Sequence, residues 1–156
     1  MQQYIGTKII KAAPAVRLDD GHGNIRVELL STNPLPQPGD AVDMGYKVVY
    51  EDGYESWSPQ DVFEKAYRQT NCMSFGMAIE AAKLGSKIAR KGWNGKNQYV
   101  ELATSISYKN RSGFVINAEH NSIGNHALAF VGTSGVQMGW LASQADMLAD
   151  DWIIVI

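Results

Sequence analysis

The sequence predicts an α+β fold, with small, mostly antiparallel sheets and short helices. Three observations carry this. Apolar residues come in short alternating runs bounded by Gly, Asn and Asp. An Asp52-Gly53 turn separates two of these runs. The helical periods are brief, and each opens on a serine. With 156 residues, 17.1 kDa and 45% apolar side chains, the chain can bury about 70% of its unfolded surface unaided.

From the N-terminus, residues 4–10 have strand composition, and Gly21 to Gly23 form a turn into an alternating strand, Ile25-Arg26-Val27-Glu28-Leu29. Residues 31–43 carry Pro34, Pro36 and Pro38 and read as an extended surface connection. Residues 46–50 and 54–57 form a hairpin across Glu51-Asp52-Gly53. Ser58 as N-cap, Pro59 at N1 and Asp61 at N3 then start a helix expected to bury Val62, Phe63, Ala66 and Tyr67.

The chain changes character near Met73. Residues 1–72 hold 7 basic and 10 acidic side chains, net −3, whereas 73–156 hold 7 and 6, net +1, and three of the four tryptophans. A domain boundary is expected there, between a hairpin-and-helix unit at 1–72 and a second domain at 73–156. That second domain opens on a helix capped by Ser74, with Phe75, Ala78, Ile79 and Ala82 on one face and Gly85 as its stop. Strands are expected at 87–90, 98–103, 113–117, 127–131, 136–140 and 152–156, with a short helix capped by Ser143 before the last.

Composition excludes several function classes. A net charge of −2 creates no field that would collect nucleic acid or an acidic membrane. Cys72 is the only cysteine, the N-terminus lacks signal-peptide character, and no apolar run is long enough to span a bilayer, so the expectation is a soluble protein of a reducing cytoplasm. No P-loop, G-x-G-x-x-G, G-x-S-x-G or H-E-x-x-H pattern occurs. Glu119, His120 and His126 could be imagined around a metal, but no further ligand has diagnostic spacing, and no metal or cofactor is expected. Asp150 and Asp151 are neighbours on a turn, which points them apart and leaves them solvated.

Two stretches put aromatic rings, amides and charges beside tight turns. In Arg90-Lys91-Gly92-Trp93-Asn94-Gly95-Lys96, Trp93 offers a flat face for a nucleobase and Asn94 bonds both ways. Arg90, with the two lysines, suits a phosphate. The alternative is a solvated hairpin turn with Trp93 packed on the core. In Trp140-Leu141-Ala142-Ser143-Gln144-Ala145-Asp146, a helix N-terminus offers N–H groups to an anion, and Gln144 and Asp146 can read hydroxyls or a base edge. S-x-x-D is equally a capping pattern, and Trp140 either lines a pocket or staples the helix.

Together with the helix at 73–85, these stretches carry a resemblance. Residues 73–156 resemble the second type of Thoeris anti-defence protein, a family of small phage-encoded sponges, in three ordered blocks: M-x-F-G-x-A-I-E-A, A-R-K-G-W-N-G-K and W-L-A-S-Q-x-D-M-L-A-x-D-W. The segment 104–137 between the blocks is variable. The resemblance implies a small antiparallel α+β unit that assembles as a homotetramer and has no catalytic activity. It implies binding of glycocyclic ADP-ribose made by TIR-domain enzymes. Cyclic dinucleotides of cGAS-like (CBASS) immunity are a further ligand class in some relatives. By motif position, Trp93 and Asn94 fall in its G-W-N-G block, and Trp140, Ser143, Gln144 and Asp146 in its W-L-A-S-Q-x-D block. Residues 1–72 depart from the short family members and resemble uncharacterised phage-type sequences. A hydrolase of the same signal and a phage structural or adaptor module are the competing readings.

Overall fold

Antiparallel pairing builds every sheet of this α+β fold. The computed structural model describes residues 1–3, 6–118 and 126–156 and divides into two units, Met1–Arg68 and Gln69–Ile156.

The first unit holds β1 (Lys11–Asp19), β2 (Ile25–Leu29), a 3-10 turn (Leu30–Thr32), β3 (Ala41–Val49), β4 (Glu55–Pro59) and α1 (Gln60–Ala66). Its sheet runs β2-β1-β3-β4. The turn after β1 is organised by Asp20, whose carboxylate accepts from the Asn24 side chain and from the backbone N–H groups of His22 and Asn24. Those bonds hold its pKa below the usual carboxylate value. Val16, Leu18 and Val48 are buried on one sheet face, where Phe63 of α1 stacks on Tyr46 at 4.0 Å between centroids. Gly45 is needed by close approach, because a Cβ there would lie 2.2 Å from the Ser58 carbonyl oxygen and under 3 Å from the Trp57 ring.

The structure departs from expectation at several places here. Residues 6–10 are not a strand, and Tyr4 and Ile5 lie outside the described residues. The strand is instead β1, at residues the sequence reading left unassigned. Pro14 is tolerated because pairing to β2 begins only at Ala15, so β1 has an open edge beside it. The proline-rich connection ends at residue 40, because β3 begins at Ala41. Helix α1 starts one residue later than predicted, with Pro59 at the N-cap and no side-chain cap. Ser58 is spent in β4 opposite Tyr46, and of the four residues expected to be buried Val62 and Ala66 are exposed while Phe63 and Tyr67 are only partly buried.

The second unit comprises α2 (Phe75–Lys83), β5 (Lys87–Arg90), β6 (Tyr99–Ala103), β7 (Ile106–Lys109), β8 (Val115–Ala118), β9 (Ala127–Gly132), β10 (Gly135–Met138), α3 (Gln144–Met147) and β11 (Trp152–Val155). The main sheet runs β10-β9-β6-β5-β11, and β7 with β8 makes a separate hairpin. Ser74 caps α2 by accepting from the Met77 N–H, and Gly85 ends it at φ 92°. Ala78, Ala81 and Ala82 let the helix lie close on Met73, Ile88, Val100 and the fully buried Trp152. The unit begins ahead of Met73. Thr70 O accepts from Ile154 N, and Met73 exchanges both backbone bonds with Trp152, which ties this segment to β11. β7 was not foreseen, and the strand expected at 136–140 stops at Met138.

Candidate ligand-binding site

The site begins where β5 ends. Past Arg90, Lys91 N donates to the Asp151 carbonyl, Gly92 N to Asp151 Oδ2 at 3.1 Å, and Trp93 N to the Arg90 carbonyl. The turn continues through Gly95, where a Cβ would fall 1.8 Å from the Gln98 side chain, so that only glycine lets Gln98 fold back over it. Opposite stands α3, whose start is a capping box. Ser143 Oγ accepts from Asp146 N at 3.1 Å, and Asp146 Oδ2 accepts from Ser143 N at 3.1 Å.

Arg90 joins the two. Its Nε donates to Asp151 Oδ1 at 2.7 Å, and its Nη1 to Asp146 Oδ1 at 3.1 Å and to the Ala145 carbonyl at 3.2 Å. The Trp93 indole N–H also donates to Asp146 Oδ1, at 3.2 Å, while Ser143 Oγ donates to Oδ2 at 2.7 Å. The Asp146 carboxylate therefore accepts four hydrogen bonds, the full capacity of its two oxygens. Burial opposes its charge, but the bonds from Ser143, Arg90 and Trp93 outweigh that penalty and hold its pKa below the ordinary value. The Arg90 bond, aided by Gly92 N–H, likewise lowers Asp151, and the two carboxylates raise Arg90.

Above this latch lies a cluster of rings. Trp93 meets Phe130, Trp140 and Trp152 edge-to-face at centroid distances of 5.5, 6.0 and 5.5 Å. Trp140 is pinned by its backbone N–H to the Leu128 carbonyl at 2.8 Å. An open depression of about 300 Å³ is bounded by Trp93, Asn94, Gln98, Phe130, Trp140 and Asp146. It has two half-buried indoles for walls and two amides at its rim, and its single carboxylate is saturated.

Of the residues singled out from sequence, Trp93, Asn94, Trp140 and Asp146 border this depression. Arg90 lies behind it, holding Asp146. Ser143 serves the cap, and Gln144 is exposed on the first turn of α3. Gln98 and Phe130 were missed. Phe130 arrives by strand register, opposite Val100, and no local pattern announces that. Gln98 carried a signal, since Gly95 three residues earlier marks a close approach. His126 is exposed just before β9, and Glu119 and His120 lie outside the described residues.

Residues 73–155 match the family described as Thoeris anti-defense 2-like domain. The chain is also 38% identical to Thoeris anti-defense 2 of Bacillus phage SP01 over 84 residues, which is 53% of this chain and 94% of that relative. Every residue bordering the depression lies within the matched segment.

Proposed function

The chain belongs to the Thoeris anti-defense 2-like family, and from that membership we propose that it is a sponge that binds glycocyclic ADP-ribose and holds it uncleaved. The observation that carries the reading is the saturated Asp146 beneath two tryptophans. A carboxylate with every lone pair occupied and a lowered pKa is a poor general base. The same arrangement suits storage of a ligand with a base, two riboses and two phosphates. Trp93 and Trp140 offer ring faces to the adenine, and Asn94 and Gln98 offer donors and acceptors to the ribose hydroxyls. Arg90 Nη2, on the Gly92 side, remains to face a phosphate, Ser143 acts by holding Asp146, and Gln144 meets the ligand from the rim of α3.

The working protein is a homotetramer in the cytoplasm of an infected bacterium. Exposed Val136 and Met138 on edge strand β10, with Leu141 and Leu148, supply apolar surface that an assembly would cover. No helix among the described residues is long and apolar enough to cross a membrane.

The deciding experiment mixes purified protein with glycocyclic ADP-ribose, removes free ligand by filtration, denatures the protein by heat and identifies what is released by mass spectrometry. Intact ligand is expected, and Trp140→Ala should weaken retention about 10- to 100-fold, as expected for a lost stacking platform. A cleaved product would make the protein a hydrolase, and no retention would favour an adaptor. Cyclic dinucleotides in the same assay test the second ligand class.

A further inference from the structure

The first unit has a feature the sponge reading leaves unused. β4 pairs with β3 from Glu55 opposite Val49 to Pro59 opposite Gly45, and the chain then leaves the sheet as α1. Residues 41–44 of β3 therefore have β1 on one side, with Ala41 opposite Asp19 and Met44 opposite Val16, and no strand among the described residues on the other. The side on which their backbone groups emerge follows from alternation. Tyr50 N donates to the Tyr54 carbonyl at 2.9 Å, so every second residue back along β3 turns its N–H to the same side: Val48 and Tyr46 toward β4, and then Met44 and Val42 toward the edge that β4 leaves after Pro59.

A groove of about 530 Å³ follows this edge, bordered by Asp43, Met44, Trp57, Gln60, Asp61 and Glu64. We propose that it binds an extended, basic peptide segment as an added strand of the first unit's sheet. Unpaired strand edges accept such strands through backbone bonds, and flanking side chains select them. Charge identifies the occupant. Three carboxylates border the groove and, among the described residues, no lysine or arginine does, in a segment of net −3. Glu64 accepts from the Tyr46 hydroxyl and Gln60 through Oε1 and keeps Oε2. Asp61 is exposed, with Lys65 no closer than 3.8 Å, whereas Asp43 is shared with Arg17. Val42 and Met44 are 47% and 48% exposed and offer apolar contact to every second residue of the incoming strand. Trp57, on the groove wall, carries the one buried side-chain donor without a partner among the described residues, its Nε1.

The test titrates the full ¹⁵N-labelled chain with the capped peptide Lys-Val-Lys-Val-Lys and follows its amide resonances. Binding is expected to move the Val42, Met44, Gln60 and Asp61 amides and the Trp57 indole, and to leave the Trp93 indole still. The double change Asp61→Asn with Glu64→Gln should weaken binding about fivefold at low salt and by much less at 1 M salt. Val42→Pro removes an N–H that faces the open edge, so it should abolish binding with the melting temperature preserved. Equal binding of the capped peptide Glu-Val-Glu-Val-Glu, or shifts confined to other residues, would overturn the proposal. So would absence of binding, or the same shifts produced by concentrating the protein alone, which would make a second copy the occupant.

Discussion

Each unit contains an arginine held between two aspartates, and the two triads differ in what else the carboxylates do. In the first unit Arg17 Nη1 meets Asp43 Oδ2 at 3.0 Å and Nη2 meets Asp19 Oδ2 at 3.2 Å, with the guanidinium 5.8 Å from the Trp57 ring. In the second, Arg90 meets Asp151 at 2.7 Å and Asp146 at 3.1 Å. The distances are nearly alike. Exposure separates them in part, with Asp43 at 53% and Asp146 at 14%. Connectivity separates them further. The first triad lies on neighbouring strands that are already paired, because Arg17 sits opposite Asp43 in the sheet. The second also bonds the Gly92 N–H, the Trp93 indole and the α3 cap, so it fastens α3, which belongs to no sheet ladder, to the paired ends of β5 and β11. An ion pair is worth most where it is desolvated and where its loss leaves other polar groups unpaired.

That contrast can be broken or sharpened by experiment. The largest effect is expected from Trp152→Ala, which empties the fully buried position on which the ring cluster rests. It should cost about 3–5 kcal/mol, read as early loss of the second unit's near-ultraviolet signal on denaturation. Asp146→Ala should follow at about 2–3 kcal/mol, since it removes the cap and strands the Trp93 N–H. A loss under about 0.5 kcal/mol would mean that the latch is ornamental.

Acid titration probes the same carboxylates. Their folded pKa values lie below the unfolded value near 3.8, so their contribution is complete above about pH 4–5 and disappears as pH falls through the folded values. The wild type should therefore lose stability below pH 4. Asp146→Asn should show a shallower decline over that window, and parallel curves would remove Asp146 from the acid response. Asp151→Asn should cost about 1 kcal/mol, through one Arg90 bond and the Gly92 N–H. Smallest of all, Arg17→Met should stay within about 1 kcal/mol despite making two ion pairs. A larger loss there would erase the distinction drawn between the triads.

Much of the fold was legible from local chemistry. The Asp-Gly hairpin, the Ser74 cap with its Gly85 stop and the Ser143–Asp146 capping box all involve residues close in sequence, and each formed where its pattern lay. Local rules failed where tertiary pairing overrode them. Strand composition pointed to residues 4–10, yet the strand forms at Lys11–Asp19, where β2 and β3 supply partners. Ser58 looked like a cap but was claimed by β4. At the site, the tryptophans and amides beside the two turns could be picked out, but their division of labour could not. Arg90 and Asp146, both singled out from sequence as candidate ligand residues, are bonded to each other, which no local pattern announced.

Taken alone, the sequence determined the α+β class, the Asp-Gly turn, the caps of α2 and α3 and the two aromatic stretches, because glycine, asparagine and capping serines act on backbone within a few residues of themselves. Only the tertiary structure decided that β11 lies against β5, which carries Asp151 to an arginine 61 positions earlier in the chain, and that β9 pairs with β6, which sets Phe130 against Trp93. Strand pairing over such separations is chosen by the burial of a whole core around Trp152, and no single segment encodes that choice.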